Sequence, residues 1–430
     1  MIDRLLALEF IGIKLGLENI GQLCRALDHP ERTFRSVHVA GTNGKGSVTA
    51  MVHEALLNAG HRSARYTSPH LSELRERFVI GAEPVSQADL DAAGRDVLDC
   101  ADRLVRSGEL LAQPTFFEAT TAIAFELFRR ARVEVAVVEV GLGGRFDATN
   151  VVVPVVGAIT SIGFDHQQYL GNTLAAIAFE KAGIIKPGMT LVTGSLPGEA
   201  TTVIRNIARD RNARVVACFD GTSVETTFET VSANLTLQTP LARYGPLTLG
   251  LSGEHQVGNA VVAVRVLEAL GEAGIDVSAT AIAQGLSEAR WPARLELIDY
   301  PDGRQVLIDA AHNPDGARAL AGHLARWYPE RPPLVLGLMK DKDATGILEA
   351  LLPVTSTVVA TAATTRRAMP AEELAEHVRA LAPAREIHVE PLPGAALDRA
   401  LSHGRTVCVA GSIFLAGAVR DVLRERAILR

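Results

Sequence analysis

Short runs of β-branched and aliphatic residues recur along the chain, each ending in glycine or a polar cluster and followed by a segment of helical periodicity. In the first half the strand-like runs fall at 37–39, 133–140 and 155–162. Helical spacing marks 1–30 in two pieces, the segment from Val48, 86–108, the segment opened by Thr115, the one carrying Lys181, and 259–270. From Val135 the run at 133–140 is nearly all apolar, as expected for a parallel strand covered on both faces. Residues 189–250 alternate strand and turn signals, with 230–251 read as β-hairpins. A connection at 287–294 precedes a second alternation. Strands are expected at 304–311, 334–339, 356–362, 386–390 and 405–410, and helices at 314–327, 343–352, 371–381, 394–401 and 412–426. This predicts an α/β protein: a P-loop-type ATPase domain with a mostly parallel sheet, residues 1–289, and a smaller Rossmann-like C-terminal α/β domain, residues 290–430.

Composition narrows the picture. A chain of 430 residues exceeds what one core usually serves. A net charge of −6 argues against a general nucleic-acid binder. Cys24, Cys100, Cys218 and Cys408 lie far apart, and Asp3, Arg4 and Glu9 near the start do not suit a secretory leader. The cysteines are therefore expected to be reduced thiols of a cytoplasmic protein. No apolar run is long enough to span a bilayer, so no membrane partner is expected.

The chain is organised around Gly41-Thr42-Asn43-Gly44-Lys45-Gly46-Ser47, which joins the run at 37–39 to a helix. Strand, glycine loop and helix present backbone N–H groups and a positive helix end to phosphate, and Lys45 adds a mobile charge. The strict P-loop pattern is not met, because Gly46 separates Lys45 from Ser47. A metal ligand should then come from elsewhere. Strands end near Ser68, Glu139 and His166, and together with nucleotide phosphates these suit Mg²⁺. Glu139 is the anomaly, since a carboxylate closing an apolar strand is costly unless paired. Thr115 and Glu118 fit a capping box. Lys181 is either a solvated helix lysine or a functional amine. In the second half Asp309 and His312 emerge where a strand turns into a helix, which places the site in a cleft between two domains.

Read together, the stretches GTNGKGS (41–47), SPHL (68–71), FFEATT (116–121), EVGLGGRFDATN (139–150), DHxxYLG (165–171), EKAGI (180–184), WPARLE (291–296), DAAHNP (309–314) and GLMKDKD (337–343) resemble the folylpolyglutamate synthase and dihydrofolate synthase family, relatives of the Mur ligases. The resemblance implies an ATP- and Mg²⁺-dependent ligase joining L-glutamate to a folate or pteroate carboxylate through an acyl phosphate. The first domain would correspond to the Mur central domain and the second to its glutamate-ligase domain. Gly44, Lys45, Gly46 and Ser47 would bind ATP phosphates, with Asn259, Arg294 and Asp309 as further ATP contacts. Ser68, Glu139 and His166 would hold Mg²⁺. Lys45, Asp309, His312 and Lys181 would form the catalytic set, with Asn313 beside His312 helping to close the site and Lys181 matching a lysine carbamylated in the family. Ile13, Lys14, Leu15, Thr115, Phe116, Phe117, Glu118, Phe146, Asp147 and Ala148 match stretches that surround the pterin. At Lys14 the bifunctional bacterial enzymes can carry an aspartate, so folylpolyglutamate synthase is the favoured activity, with dihydropteroate as a second acceptor to be tested. The protein is expected to act as a monomer.

Two rival readings make different demands. A Mur-type peptide ligase would carry a UDP-binding domain ahead of the ATP loop, which here starts by residue 41. A non-ligase nucleotide switch would leave Asp309 and His312 in a second domain without purpose.

Overall fold

The computed structural model describes residues 1–429 apart from Ile13 and Leu15, so the expectations placed on those two lie outside the described residues. Its first sheet has eight strands: β1 (Arg35–Ala40), β2 (Ser63–Tyr66), β3 (Phe78–Ile80), β4 (Glu83–Pro84), β5 (Val135–Glu139), β6 (Val156–Ile159), β7 (Thr190–Thr193) and β8 (Arg214–Ala217). Their spatial order is β4-β3-β2-β5-β1-β6-β7-β8, parallel from β2 to β8, with β3 and β4 antiparallel at one edge. The most apolar runs, β5, β1 and β6, lie at the centre, where helices cover both faces. The chain runs from β1 outward to one side and later returns to the other. The carboxyl ends at that reversal form the natural ligand crevice of such a sheet.

Helix Lys45–Asn58, which leaves β1, is buried on nearly every side, with Val48, Ala50, Met51, Val52, Ala55 and Leu56 spread around it. Helices His255–Glu272 and Ala279–Glu288 pack against it. A Cβ on Gly285 would lie 2.4 Å from the backbone nitrogen of Ala55, so that glycine sets the helix spacing. A three-stranded antiparallel sheet follows the first: β9 (Ser223–Phe228), β10 (Ala233–Gln238) and β11 (Arg243–Thr248). Its inward residues Ala233, Leu235 and Leu237 join the same core.

The second sheet comprises β12 (Glu296–Asp299), β13 (Gln305–Ile308), β14 (Leu334–Leu336), β15 (Val358–Ala360), β16 (Ile387–Val389) and β17 (Thr406–Ala410), in the order β12-β13-β17-β14-β15-β16. All pairs are parallel except β12 with β13. The α/β architecture with mostly parallel sheets is therefore as expected. Helices Pro314–Trp327 and Ala371–Leu381 coincide with the sequence reading.

Two local expectations differ. Helix Gly198–Asp210 occupies part of the stretch read as strands and turns, and its buried Ala200, Ile204 and Ala208 carry a spacing of four. Edge strand β12, between the connection and the first expected strand, was not anticipated.

The close helix packing at Gly285 gives a stability test. Gly285→Ala is expected to cost about 1–3 kcal/mol through overpacking, read as a lower urea midpoint with an unchanged m-value.

Candidate active site

At the end of β1 the chain turns into helix Lys45–Asn58 through Gly44, whose φ of 84° is left-handed. No side chain caps this helix. Its first N–H groups, which lack intrahelical partners, and its positive dipole end therefore face the crevice together. The amide of Asn259 presses on the loop, since a Cβ on Gly44 would come within 2.3 Å of its Oδ1. Asn259 is fixed in turn by donating Nδ2 to Gln256 Oε1 at 2.8 Å. Trp291 lies over Gly46, where a Cβ would approach the indole to 2.6 Å.

Two lysines converge on one carbonyl. Lys45 Nζ donates to Gly41 O and Thr42 O, each at 3.2 Å, and Lys181 Nζ donates to Gly41 O at 2.9 Å. Lys181 is buried, so it is not a solvated helix lysine. Burial first, and then the Lys45 charge, bring its pKa down to about 7.

Glu139 closes β5 as a buried carboxylate, and the Ser68 N–H donates to its Oε2 at 3.2 Å. Burial pushes its pKa up; Lys45, the Ser68 N–H, Arg294 and Arg77 act against that rise. Arg65 also senses the Glu139 charge and lies over the Trp291 ring at 5.2 Å. One carboxylate thus sits in the field of four cations, an arrangement suited to several further negative charges. Arg77 is buried, stands over Phe116 at 5.2 Å and donates Nε to His70 Nδ1 at 2.9 Å. Burial, then Arg77, lower the His70 pKa to about 4. His70 is thereby engaged by Arg77.

His166 follows β6 in a left-handed conformation, φ 51°. Its Nε2 accepts from Lys342 Nζ at 3.2 Å, and its buried Nδ1 has no hydrogen-bond partner. Burial lowers its pKa to about 4. Lys342 also donates to Asp165 Oδ1 at 2.6 Å. Burial would raise the Asp165 pKa, but the facing His312 ring and the Lys342 ammonium hold it well below the usual carboxylate range. Ser68 and Glu139 are thus in contact, while His166 is held by a lysine of the second sheet's domain.

That domain supplies the rest of the cleft. Asp309 accepts from Ala311 N at 2.8 Å and Leu295 N at 2.9 Å, fixing the connection that carries Arg294 to the end of β13. His312 donates Nδ1 to Ala310 O at 2.9 Å and turns Nε2 towards Asp165 Oδ2 at 3.5 Å. Asn313 and Asn43 exchange amide hydrogen bonds at 3.0 and 3.2 Å across the cleft. Asn313 also caps helix Pro314–Trp327.

The remaining expected residues divide by exposure. Thr115 and Glu118 make the capping box, at 3.1 and 2.7 Å, so their polar groups are occupied locally. Phe117 lies 6.1 Å from Tyr66 between ring centroids and packs against Gly141. Asp147 is buried; burial raises its pKa while the Thr149 hydroxyl and loop N–H groups stabilise its charge. Ala148 is buried, Phe146 is exposed beneath the Arg145 guanidinium at 4.2 Å, and Lys14 is exposed. Arg65, Arg77, Trp291, Lys342 and Asn43 were not singled out from sequence. Only the motifs around Trp291, Lys342 and Asn43 offered a signal.

Two outcomes follow from this geometry. Gly46→Ala is expected to drive the loop against Trp291 and weaken ATP binding at least tenfold by calorimetry, with little change in far-UV circular dichroism. The Lys181 amine binds fewer protons folded than unfolded between about 7 and its ordinary 10.5. Stability should therefore rise with pH across that window. Lys181→Met should flatten the rise, measured as urea midpoints along a pH series.

Comparison with known proteins agrees with this geometry. Residues 111–267 match the Mur ligase middle domain and residues 293–413 the Mur ligase glutamate ligase domain. The chain is 38% identical to the dihydrofolate synthase/folylpolyglutamate synthase of Bacillus subtilis over 346 residues, 79% of each chain. Mycobacterium tuberculosis folylpolyglutamate synthase, solved in complexes with ADP and AMPPCP, superposes with a TM-score of 0.90 at 37% identity, covering 98% of both chains. Escherichia coli FolC in complex with DHPP and ADP superposes at 0.86 and 28% identity, covering 99% of this chain and 98% of that one. With sequence, fold and cleft in agreement, this chain belongs to the folylpolyglutamate synthase and dihydrofolate synthase family of ATP-dependent, Mur-type ligases.

Proposed function

We propose that this protein adds L-glutamate to tetrahydrofolate, acting as a folylpolyglutamate synthase, and that the cleft between residues 1–289 and 290–430 is where the ligation occurs. The observation that carries this reading is Glu139, buried among Lys45, Arg65, Arg77 and Arg294 beside an uncapped helix start. ATP is a substrate of the reaction. Its phosphates would lie on the N–H groups of Gly44, Lys45, Gly46 and Ser47, with Asn259, Arg294 and Asp309 fixing the nucleotide from the sides.

The acceptor carboxylate oxygen attacks the γ-phosphorus, the bond to the ADP oxygen breaks, and an acyl phosphate forms. Lys45 and Arg294 offset charge spreading over the transferring phosphoryl group. The glutamate α-amine then attacks the acyl carbon, loses a proton, and phosphate leaves as the amide forms. His312, with Nε2 turned into the cleft, is placed to stabilise charge there, and Asp309 positions Arg294 through the Leu295 N–H. Asn43 and Asn313 hold the halves together, which keeps water from the acyl phosphate.

Ser68, Glu139 and His166 fit a hard divalent cation: one buried carboxylate, one hydroxyl, and an imidazole whose buried Nδ1 is unpartnered. Mg²⁺ there would neutralise phosphate charge. For His166 to serve, Lys342 must move off its Nε2 or the ring must offer Nδ1. Lys181, with a large neutral fraction near pH 7, is suited to add CO₂ as a carbamate, losing one proton and gaining a carboxylate beside the metal position. Phe116, Phe117, Phe146 and Ala148 offer apolar surface to a pterin, Lys14 would add an exposed ammonium group, and Thr115, Glu118 and Asp147 shape that wall rather than bind through free polar atoms. The protein is proposed to act as a monomer in the cytoplasm; no described helix is long and apolar enough to cross a membrane.

The test is phosphate release and glutamate incorporation with Mg-ATP and glutamate, comparing tetrahydrofolate, dihydropteroate and no acceptor. Turnover with tetrahydrofolate is expected, and turnover with dihydropteroate as well would make the enzyme bifunctional. Hydrolysis indifferent to acceptor and glutamate would overturn the ligase assignment.

A further inference from the structure

Far from the cleft, the second domain carries a different set of ligands. Glu386 immediately precedes β16, the edge strand, and His388 lies within it. His403 lies in the turn between helix Pro393–Leu401 and β17. All three are at the amino-terminal ends of their strands, whereas Asp309 and His312 follow the carboxyl end of β13. One donor atom from each falls within 4.8 Å of the others. Glu386 Oε1 lies 3.1 Å from His388 Nε2 and 4.0 Å from His403 Nδ1.

We propose that Glu386, His388 and His403 form a binding site for a borderline-soft divalent cation of the zinc type. Two imidazoles and one carboxylate are a common zinc donor set, and they favour zinc, nickel or copper over magnesium. Donors bound about 2.0–2.2 Å from one ion stand a few ångströms apart, so the observed separations need only side-chain adjustment. The two rings already face each other, with centroids 4.8 Å apart and planes at 35°. Two imidazolium ions would repel at that distance, whereas two neutral rings can share one cation with the carboxylate. Glu386 is oriented from behind, because its Oε2 accepts from Thr357 Oγ1 at 3.1 Å. Three protein ligands at a partly exposed position leave room for water. The ion would clip the edge strand to the turn before β17, stiffening the sheet without touching the ligation chemistry.

The experiment is zinc titration calorimetry on the full-length protein with Mg²⁺ and ADP saturating, comparing wild type with His388→Gln and His403→Gln. The expected result is one zinc per chain at micromolar concentration, lost in both variants, with circular dichroism and ligase turnover unchanged. Co²⁺ should give a visible absorption band in the wild type that both variants lack. Zinc uptake identical in all three proteins, or no uptake by the wild type, would overturn the proposal. Neither result depends on which folate is the acceptor.

Discussion

The structure depends on holding a carboxylate, Glu139, where an apolar strand would otherwise end. Burial alone would favour the neutral acid. Lys45, the Ser68 N–H and arginines from three separate segments act against that preference and favour the charge. Each of those cations is in turn constrained. Lys45 curls back onto loop carbonyls, Arg77 is pinned by His70 and Phe116, and Arg65 lies on Trp291. Removing the carboxylate would leave a crowd of partly desolvated positive charge, and removing the cations would leave a buried anion. Neither half is stable alone, so the set is a preorganised electrostatic site rather than a collection of surface ion pairs.

Much of this was legible in the sequence, because the relevant signals are local. An apolar run broken by Gly41 to Gly46 states its own geometry, and a glutamate closing residues 135–139 is conspicuous against that background. The strands and helices of the second domain follow the same periodicities, and Thr115 with Glu118 forms the expected cap. What escaped notice is non-local. Nothing near Arg65 or Arg77 says that they face Glu139, since both depend on β2 and β3 pairing in register beside β5. Lys342 sits among several charged residues of a loop, and only the tertiary fold selects it for Asp165. Helix Gly198–Asp210 was hidden because its β-branched and polar residues read equally well as strand and turn.

The division of labour between the domains has a physical consequence. The glycine loop 41–47, Glu139 and Lys181 belong to the domain of the first sheet, while Arg294, Asp309, His312 and Lys342 arrive from the connection and the domain of the second sheet. Many of the bridges between them are polar, among them the Asn43–Asn313 amide pair, the Lys342–Asp165 and Arg326–Glu254 ion pairs and the Arg424–Ser72 hydrogen bond at 3.1 Å. Polar bridges at the cleft can be exchanged for ligand contacts at low cost, whereas a large apolar seam would lock the halves. Lys342 shows the principle most directly. It neutralises Asp165 while donating to His166 Nε2. One ammonium group thus ties the second domain to both Asp165 and His166.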